Sequence, residues 1–187
     1  MRVKLALKVA ASVAVAGFLS AAPAFAGGGL ELRGGVLAHD AGLFSGPKED
    51  GIDINAELLF PSPDFLGILG SPRPHIGGNY SVDGISFGYA GLAWDWDFLD
   101  RFFVTASFGG AIHDADYLTE DDLPPGVKES QERLLGCQVL FHLALGVGYQ
   151  VTERVNVHLY ADHISNATLC DNNEGLENAG ARVGIKF

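Results

Sequence analysis

The strongest constraint on this chain is a two-residue period near its C-terminus. From Arg154 to Ser165 the odd positions are Val155, Val157, Leu159, Ala161, His163 and Ser165, and the even ones are Arg154, Asn156, His158, Tyr160 and Asp162. Successive side chains of a strand point to opposite faces. The segment therefore reads as a strand with one wall apolar until its end and the other polar throughout. Segment 177–187 repeats the pattern, with Ala179, Ala181, Val183, Ile185 and Phe187 against Asn178, Arg182 and Lys186. In 137–150, Val139, Phe141, Leu143, Leu145, Val147 and Tyr149 alternate mainly with Gln138, His142, Gln150 and small residues. Earlier strand candidates are separated by turn-type residues. Eight strands are predicted, near 30–39, 51–60, 73–81, 84–96, 101–111, 134–150, 154–166 and 177–187.

Residues 1–26 read as a cleaved secretory signal. Arg2, Lys4 and Lys8 make a basic start, Val9 to Ala22 an apolar run, and Ala24-Phe25-Ala26 the small-x-small cleavage pattern. The remainder, 27–187, forms one domain with no internal repeat. It contains no run of the roughly 18 apolar residues a membrane helix requires. An exported chain of this kind either stays soluble or enters a membrane as strands.

A soluble sandwich also alternates, but it turns its apolar faces to a common core. A membrane barrel turns them outward to lipid and keeps polar residues inside. Three features favour the barrel. The last strand ends on Phe187 after Val183 and Ile185, resembling the terminal strand by which outer-membrane barrels are recognised. Trp94, Trp96, Phe98, Phe102 and Phe103 cluster at strand ends, as an interfacial girdle does. Connections alternate between short turns at 98–100 and 152–153 and long polar loops at 112–133 and 167–176. The expected fold is all-β: an eight-stranded antiparallel up-and-down transmembrane β-barrel in the bacterial outer membrane, long loops outward. The Pro-rich segment 61–72 falls on the inner side and has no place in this scheme.

Charge narrows the partners. With the signal removed, nine basic residues stand against 23 acidic ones, a net charge of −14, which excludes a nucleic-acid partner that needs a basic surface. The acidic loop 112–133 reads as a solvated surface, with divalent-cation bridging to lipopolysaccharide phosphates as its functional alternative. His142 and His158 are expected in the interior by parity. His39 and His113 sit at strand ends without metal-ligand spacing, and no metal or cofactor is expected.

The chemistry lies where the apolar wall is interrupted. His163 and Ser165 share the face predicted to meet lipid, where an unpartnered polar group costs several kcal/mol. Ionisable groups inside a membrane are functional candidates by default. Glu177 has the same parity on the next strand. If the hairpin closes so that opposed residue numbers sum to about 342, Ser165 faces Glu177 and His163 faces Ala179, and the three converge on one outward patch. A serine activated by a histidine that a carboxylate orients is the logic of acyl transfer. Glu174, in the turn 171–175, is the rival acid. Asp162 adjoins His163 but points to the interior.

The run His163-Ile164-Ser165-Asn166-Ala167, followed by Glu177, resembles the C-terminal motif of the PagL family of lipid A 3-O-deacylases. The stretch Gly34 to Asp40 also looks like that family's first strand. The resemblance implies an eight-stranded outer-membrane barrel that hydrolyses the ester-linked primary acyl chain at position 3 of lipid A, a carboxylic ester hydrolase acting on lipopolysaccharide in the outer leaflet. It implies Ser165 as nucleophile, His163 as general base and then acid, Glu177 as the residue that fixes His163, and Asn166 in the oxyanion hole with backbone N–H groups.

The cysteine pair departs from the family pattern. If residues of the two strands joined at 152–153 sum to about 303, Cys137 lies near Asn166, and a disulfide to Cys170 would pin the loop beside Ser165. Three questions stay open at this stage: a non-enzymatic barrel for adhesion or envelope integrity, an acyltransferase that uses the same acyl-enzyme, and assembly as a homodimer.

Overall fold

The structure, a computed structural model, describes residues 29–42, 46–127 and 133–187. The signal 1–26, and Lys128, Glu129 and Glu132 of the acidic loop, lie outside the described residues. Eight strands follow in order: β1 (Glu31–Ala38), β2 (Ile52–Leu59), β3 (Arg73–Ser81), β4 (Phe87–Leu99), β5 (Phe102–His113), β6 (Val139–Gln150), β7 (Val155–Ser165) and β8 (Leu176–Lys186). Each pairs antiparallel with the next, and β8 closes on β1 from Glu31↔Lys186 to Ala38↔Ala179. Closure gives every described strand two neighbours, as strands that cross a bilayer require, and the inner end of β4 runs past its β3 partner.

The two walls sort as the alternation requires. Leu145, Val147, Leu159, Val183 and Ile185 face outward and are exposed. The interior is polar and filled. Near the inner rim Glu31, Arg33 and Asp95 join in a chain of ion pairs, with Arg33 Nε 2.8 Å from Glu31 Oε1 and Nη2 3.0 Å from Asp95 Oδ2. Higher up, Glu57 receives Arg182 Nη1 at 3.0 Å and His75 Nδ1 at 2.6 Å. Buried charges persist in such a site because each is paired and hydrogen-bonded. His142 and His158 are both buried inside, as parity requires, and His142 stacks on Tyr89 with ring centroids 4.1 Å apart. Asp162 also points inward, accepting from Asn79 Nδ2 at 2.7 Å and Asn178 Nδ2 at 3.0 Å.

At the outer end the interior turns apolar. Phe87, Leu135, Leu140, Ile164 and Leu176 pack there with Ile85, Tyr89 and Ala111. This cluster explains why the strand expected at 134–150 begins only at Val139. Leu134 and Leu135 are fully buried in the chain leading into β6, so they extend the apolar run without belonging to a wall. Phe103 corrects the expected girdle in the same way. It is buried in the lumen and meets His158 edge-on at 5.0 Å, whereas Trp96, Phe98 and Phe102 face out.

Both hairpin registers differ from expectation. The β6–β7 pairs sum to 306, as in Phe141↔Ser165 and Leu143↔His163, not 303. The connecting turn is longer than two residues: Val151 N and Thr152 N donate to Val155 O, and Thr152 Oγ1 accepts from Arg154 N and Val155 N. The β7–β8 pairs sum to 340, not 342, which places His163 directly opposite Glu177 and Ala161 opposite Ala179. A shift of two residues preserves parity, so the outward wall is unchanged.

Candidate active site

His163 and Glu177 meet on the outer wall, near the outer rim. Opposed Cβ atoms in an antiparallel pair lie about 4.5–5.5 Å apart, close enough for the two side chains to touch. His163 Nδ1 lies 3.0 Å from Glu177 Oε1. The carboxylate is 1% exposed although its position faces outward, while the imidazole that covers it is 28% exposed. A carboxylate accepting at Nδ1 fixes the imidazole tautomer and turns Nε2 away from the acid. Ser165 stands two residues further along β7 on the same face, about 6.6 Å by the strand rise. It lies beyond the last β7–β8 pair, Ile164↔Leu176, so it is not opposite Glu177 as the expected register had it.

Gly175 shapes this contact, and sequence reading alone missed it. Its φ is +62°, a conformation that favours glycine. A Cβ placed there would lie 2.8 Å from His163 Cε1 and 3.6 Å from Glu177 Oε1. The bare backbone is therefore the floor on which the imidazole rests. Gly175→Ala is expected to displace the ring and reduce turnover at this site about 10²-fold, the effect of an error near 1 Å in placement. Turnover compared with the thermal midpoint of the same protein checks this, since strain alone would move only the midpoint.

Asn166, implied in the oxyanion hole, is held in the loop. Its side chain is buried, and its Nδ2 donates to Leu135 O at 2.9 Å and Asn172 O at 2.5 Å. Its backbone N–H donates to Asn173 Oδ1 at 2.9 Å. Through these hydrogen bonds Asn166 clamps the turn after Ser165. The next two residues, Ala167 and Thr168, adopt positive φ of +52° and +65°. The structure joins Cys137 to Cys170 with Cα atoms 6.0 Å apart, tying the approach to β6 to this turn.

Beside Ser165 the outer wall is hollowed. A cavity of about 480 Å³ is lined by Phe108, Gly110, Val139, Phe141, Asn166 and Leu169, among others. Phe141 is the β6 partner of Ser165, and Gly110 pairs with Phe141 from β5. The missing side chain at Gly110 opens the floor, and Phe108 and Phe141 wall it with centroids 5.9 Å apart. The lining is almost wholly apolar, as an alkyl chain requires.

The outer loops are latched together above the site. Asp40 accepts from Arg133 Nη2 and from Lys48 N and Glu49 N, the last two at 2.7 and 3.0 Å. Glu174 pairs with Lys48 and accepts from Leu134 N at 2.7 Å. The rival acid thus serves the loop and does not reach His163. His39 is held between Asp53 Oδ1 at 2.9 Å and Glu49 Oε2 at 2.7 Å. Burial pulls its pKa down, but the hydrogen bonds to Asp53 and Glu49 outweigh this and raise it to about 9. A pKa raised on folding stabilises fully below the ordinary imidazole value, and the benefit is lost as pH rises through the folded value. The stability difference between wild type and His39→Gln should therefore be present at pH 6 and shrink by pH 10, as read from unfolding midpoints.

Comparison with known proteins gives the chain a family. A family model described as lipid A 3-O-deacylase (PagL) matches residues 75–186, more than half of the chain. The match runs from β3 to β8 and includes His163, Ser165 and Glu177. Among curated protein sequences none matches. Similar solved structures include the outer membrane enzyme PagL, 17% identical, covering 84% of this chain and 99% of that one with a TM-score of 0.58. A designed transmembrane β-barrel is 9% identical over 87% and 98% with a TM-score of 0.52. Neisserial surface protein A is 13% identical over 84% and 97% with a TM-score of 0.50. At such identities the structural likeness speaks for the fold, and the family match carries the kinship. The chain belongs to the PagL family of lipid A deacylases, as an eight-stranded β-barrel of the outer membrane.

Proposed function

We propose that this protein hydrolyses the ester-linked primary acyl chain at position 3 of lipid A, with Ser165 as nucleophile, His163 as general base and then acid, and Glu177 as the group that holds His163. The carrying observation is the Nδ1–Oε1 contact of 3.0 Å between His163 and Glu177 on the outward wall, with Ser165 next on that face. All three groups come from one hairpin, β7–β8, so the site needs no second copy of the chain.

The steps follow from these positions. His163 removes the proton of Ser165 Oγ as the oxygen bonds to the ester carbonyl carbon. The carbonyl oxygen takes the negative charge. With Asn166 committed to the loop, the backbone N–H groups of Ala167 and Thr168 are the nearest donors along the chain for that charge. Collapse of the intermediate breaks the bond to the sugar oxygen, which leaves with the proton from His163. Water then attacks the acyl-serine by the reverse roles, releasing the fatty acid. Glu177 holds the ring in place as His163 takes up and returns the proton. The acyl chain reaches Ser165 laterally from the leaflet and lies in the hollow floored by Gly110, so the substrate need not leave the membrane.

Purified barrel incubated with lipopolysaccharide vesicles tests the reading. The lipid A mass is expected to fall by one 3-hydroxyacyl group, with the free 3-hydroxy acid appearing in equal amount. Unchanged lipid A would remove the hydrolase reading. Recovery of the chain esterified to another lipid would replace it with acyl transfer.

A further inference from the structure

The Pro-rich connection between β2 and β3 is the one inner turn that does not behave like a solvated turn. The other two described inner connections are short and charged, with Asp100 and Arg101 in one and Glu153 and Arg154 in the other. Residues 61–72 carry a single charge, Asp64, and fold as a 3-10 helix over Asp64–Leu69. The helix does not hide its apolar side chains: Phe65 is 74% exposed and Ile68 92%, and Leu69 is exposed too.

Its position gives these exposures a meaning. The pairing of β3 with β4 starts at Arg73↔Ala93, while β4 continues to Leu99. The turn lies along this extension, on the outside of the barrel. Outward-facing Trp94 donates its indole N–H to Leu69 O at 2.8 Å. Arg73 ties the base, donating to Phe60 O at 3.4 Å and Leu59 O at 3.5 Å. The turn thus meets the outward wall at Trp94, on the strand face that also carries the exposed Trp96 and Phe98.

Part of the turn's backbone is paired internally. Leu66 N donates to Pro63 O at 2.9 Å, Gly70 N to Gly67 O at 3.1 Å and Ser71 N to Leu66 O at 3.1 Å. Pro61, Pro63 and Pro72 carry no N–H to satisfy. A segment immersed among acyl chains must pair its polar groups internally, and aromatic residues with a polar handle favour the membrane interface.

We propose that the β2–β3 turn is a membrane anchor, with Phe65, Ile68 and Leu69 inserted among the acyl chains of the inner, periplasmic leaflet and Trp94 fixing its depth. The occupant of this surface is lipid, not a second protein chain.

A nitroxide at Ile68→Cys tests it, in the full barrel reconstituted into phospholipid vesicles. Cys137 and Cys170 are paired, so only the new thiol takes the label. Collision with oxygen and with a water-soluble nickel chelate is read by power saturation. A label at Leu159→Cys, on the outward wall of β7, reports whether the barrel is inserted, and one at Thr152→Cys marks a solvated inner turn. The expected result is high oxygen and low nickel accessibility at position 68, grouped with position 159. Nickel accessibility equal to that at position 152 would overturn the anchor. Protection from both reagents would also overturn it, because it would mean that protein covers the turn.

Discussion

Ser165→Ala is expected to abolish release of the 3-hydroxy acid, with a loss of about 10⁴-fold or more, while leaving the barrel folded. Removing the nucleophile of a serine triad costs nearly the full contribution of the triad, because the histidine and acid act only through it. Ser165 pairs with Phe141 through its backbone alone, and its side chain lies outside the interior network, so the substitution removes no ladder bond and no buried partner. Heat-modifiable migration in gel electrophoresis checks the fold, and mass spectrometry of lipid A checks the chemistry. A variant that still releases the acid at the wild-type rate would exclude Ser165 as the nucleophile. In that case the hydroxyl would be a bystander at a strand end, and His163 and Glu177 a structural ion pair.

Glu177→Gln is expected to cost about 10²- to 10⁴-fold in turnover with little change in the position of the imidazole. The substitution preserves shape and the capacity to hydrogen-bond at Nδ1. It removes the negative charge that stabilises the imidazolium, and the amide can donate instead, which favours the wrong tautomer. The buried location sharpens the effect, because at 1% exposure little water is available to stand in for the lost charge. The companion variant Glu174→Gln separates the two acids. Glu174 is held by Lys48 and the Leu134 amide, so its loss is expected to loosen the outer loops and change turnover less than tenfold. The reverse ranking, with Glu174 the more damaging change, would mean that the loop acid takes part in the chemistry.

Much of this was legible in the residues. The alternation in 137–150, 154–165 and 177–187 depends only on the two-residue repeat of a strand, so it revealed the walls before any contact was known. It assigned His142, His158 and Asp162 to the interior and His163, Ser165 and Glu177 to the outside. Parity tolerates even shifts of register, which is why an expected sum of 342 and an observed sum of 340 put the same three groups on one face. What parity does not carry is the pairing itself. That His163 faces Glu177 rather than Ala179 was decided by the turn 166–175, whose left-handed residues and Asn166 clamp set how many residues the hairpin consumes. Asn166 reads in sequence as a polar neighbour of the serine, and only the carbonyls that surround it show that its donors are occupied. Gly175 carries no side chain to signal a role, and the inward turn of Phe103 depends on which wall its strand presents at that point. The repeat, the faces and the motif were written in the order of the residues. Register, partner choice and the use of each donor came from packing in three dimensions, because those depend on loop geometry and on atoms from strands far apart in the chain.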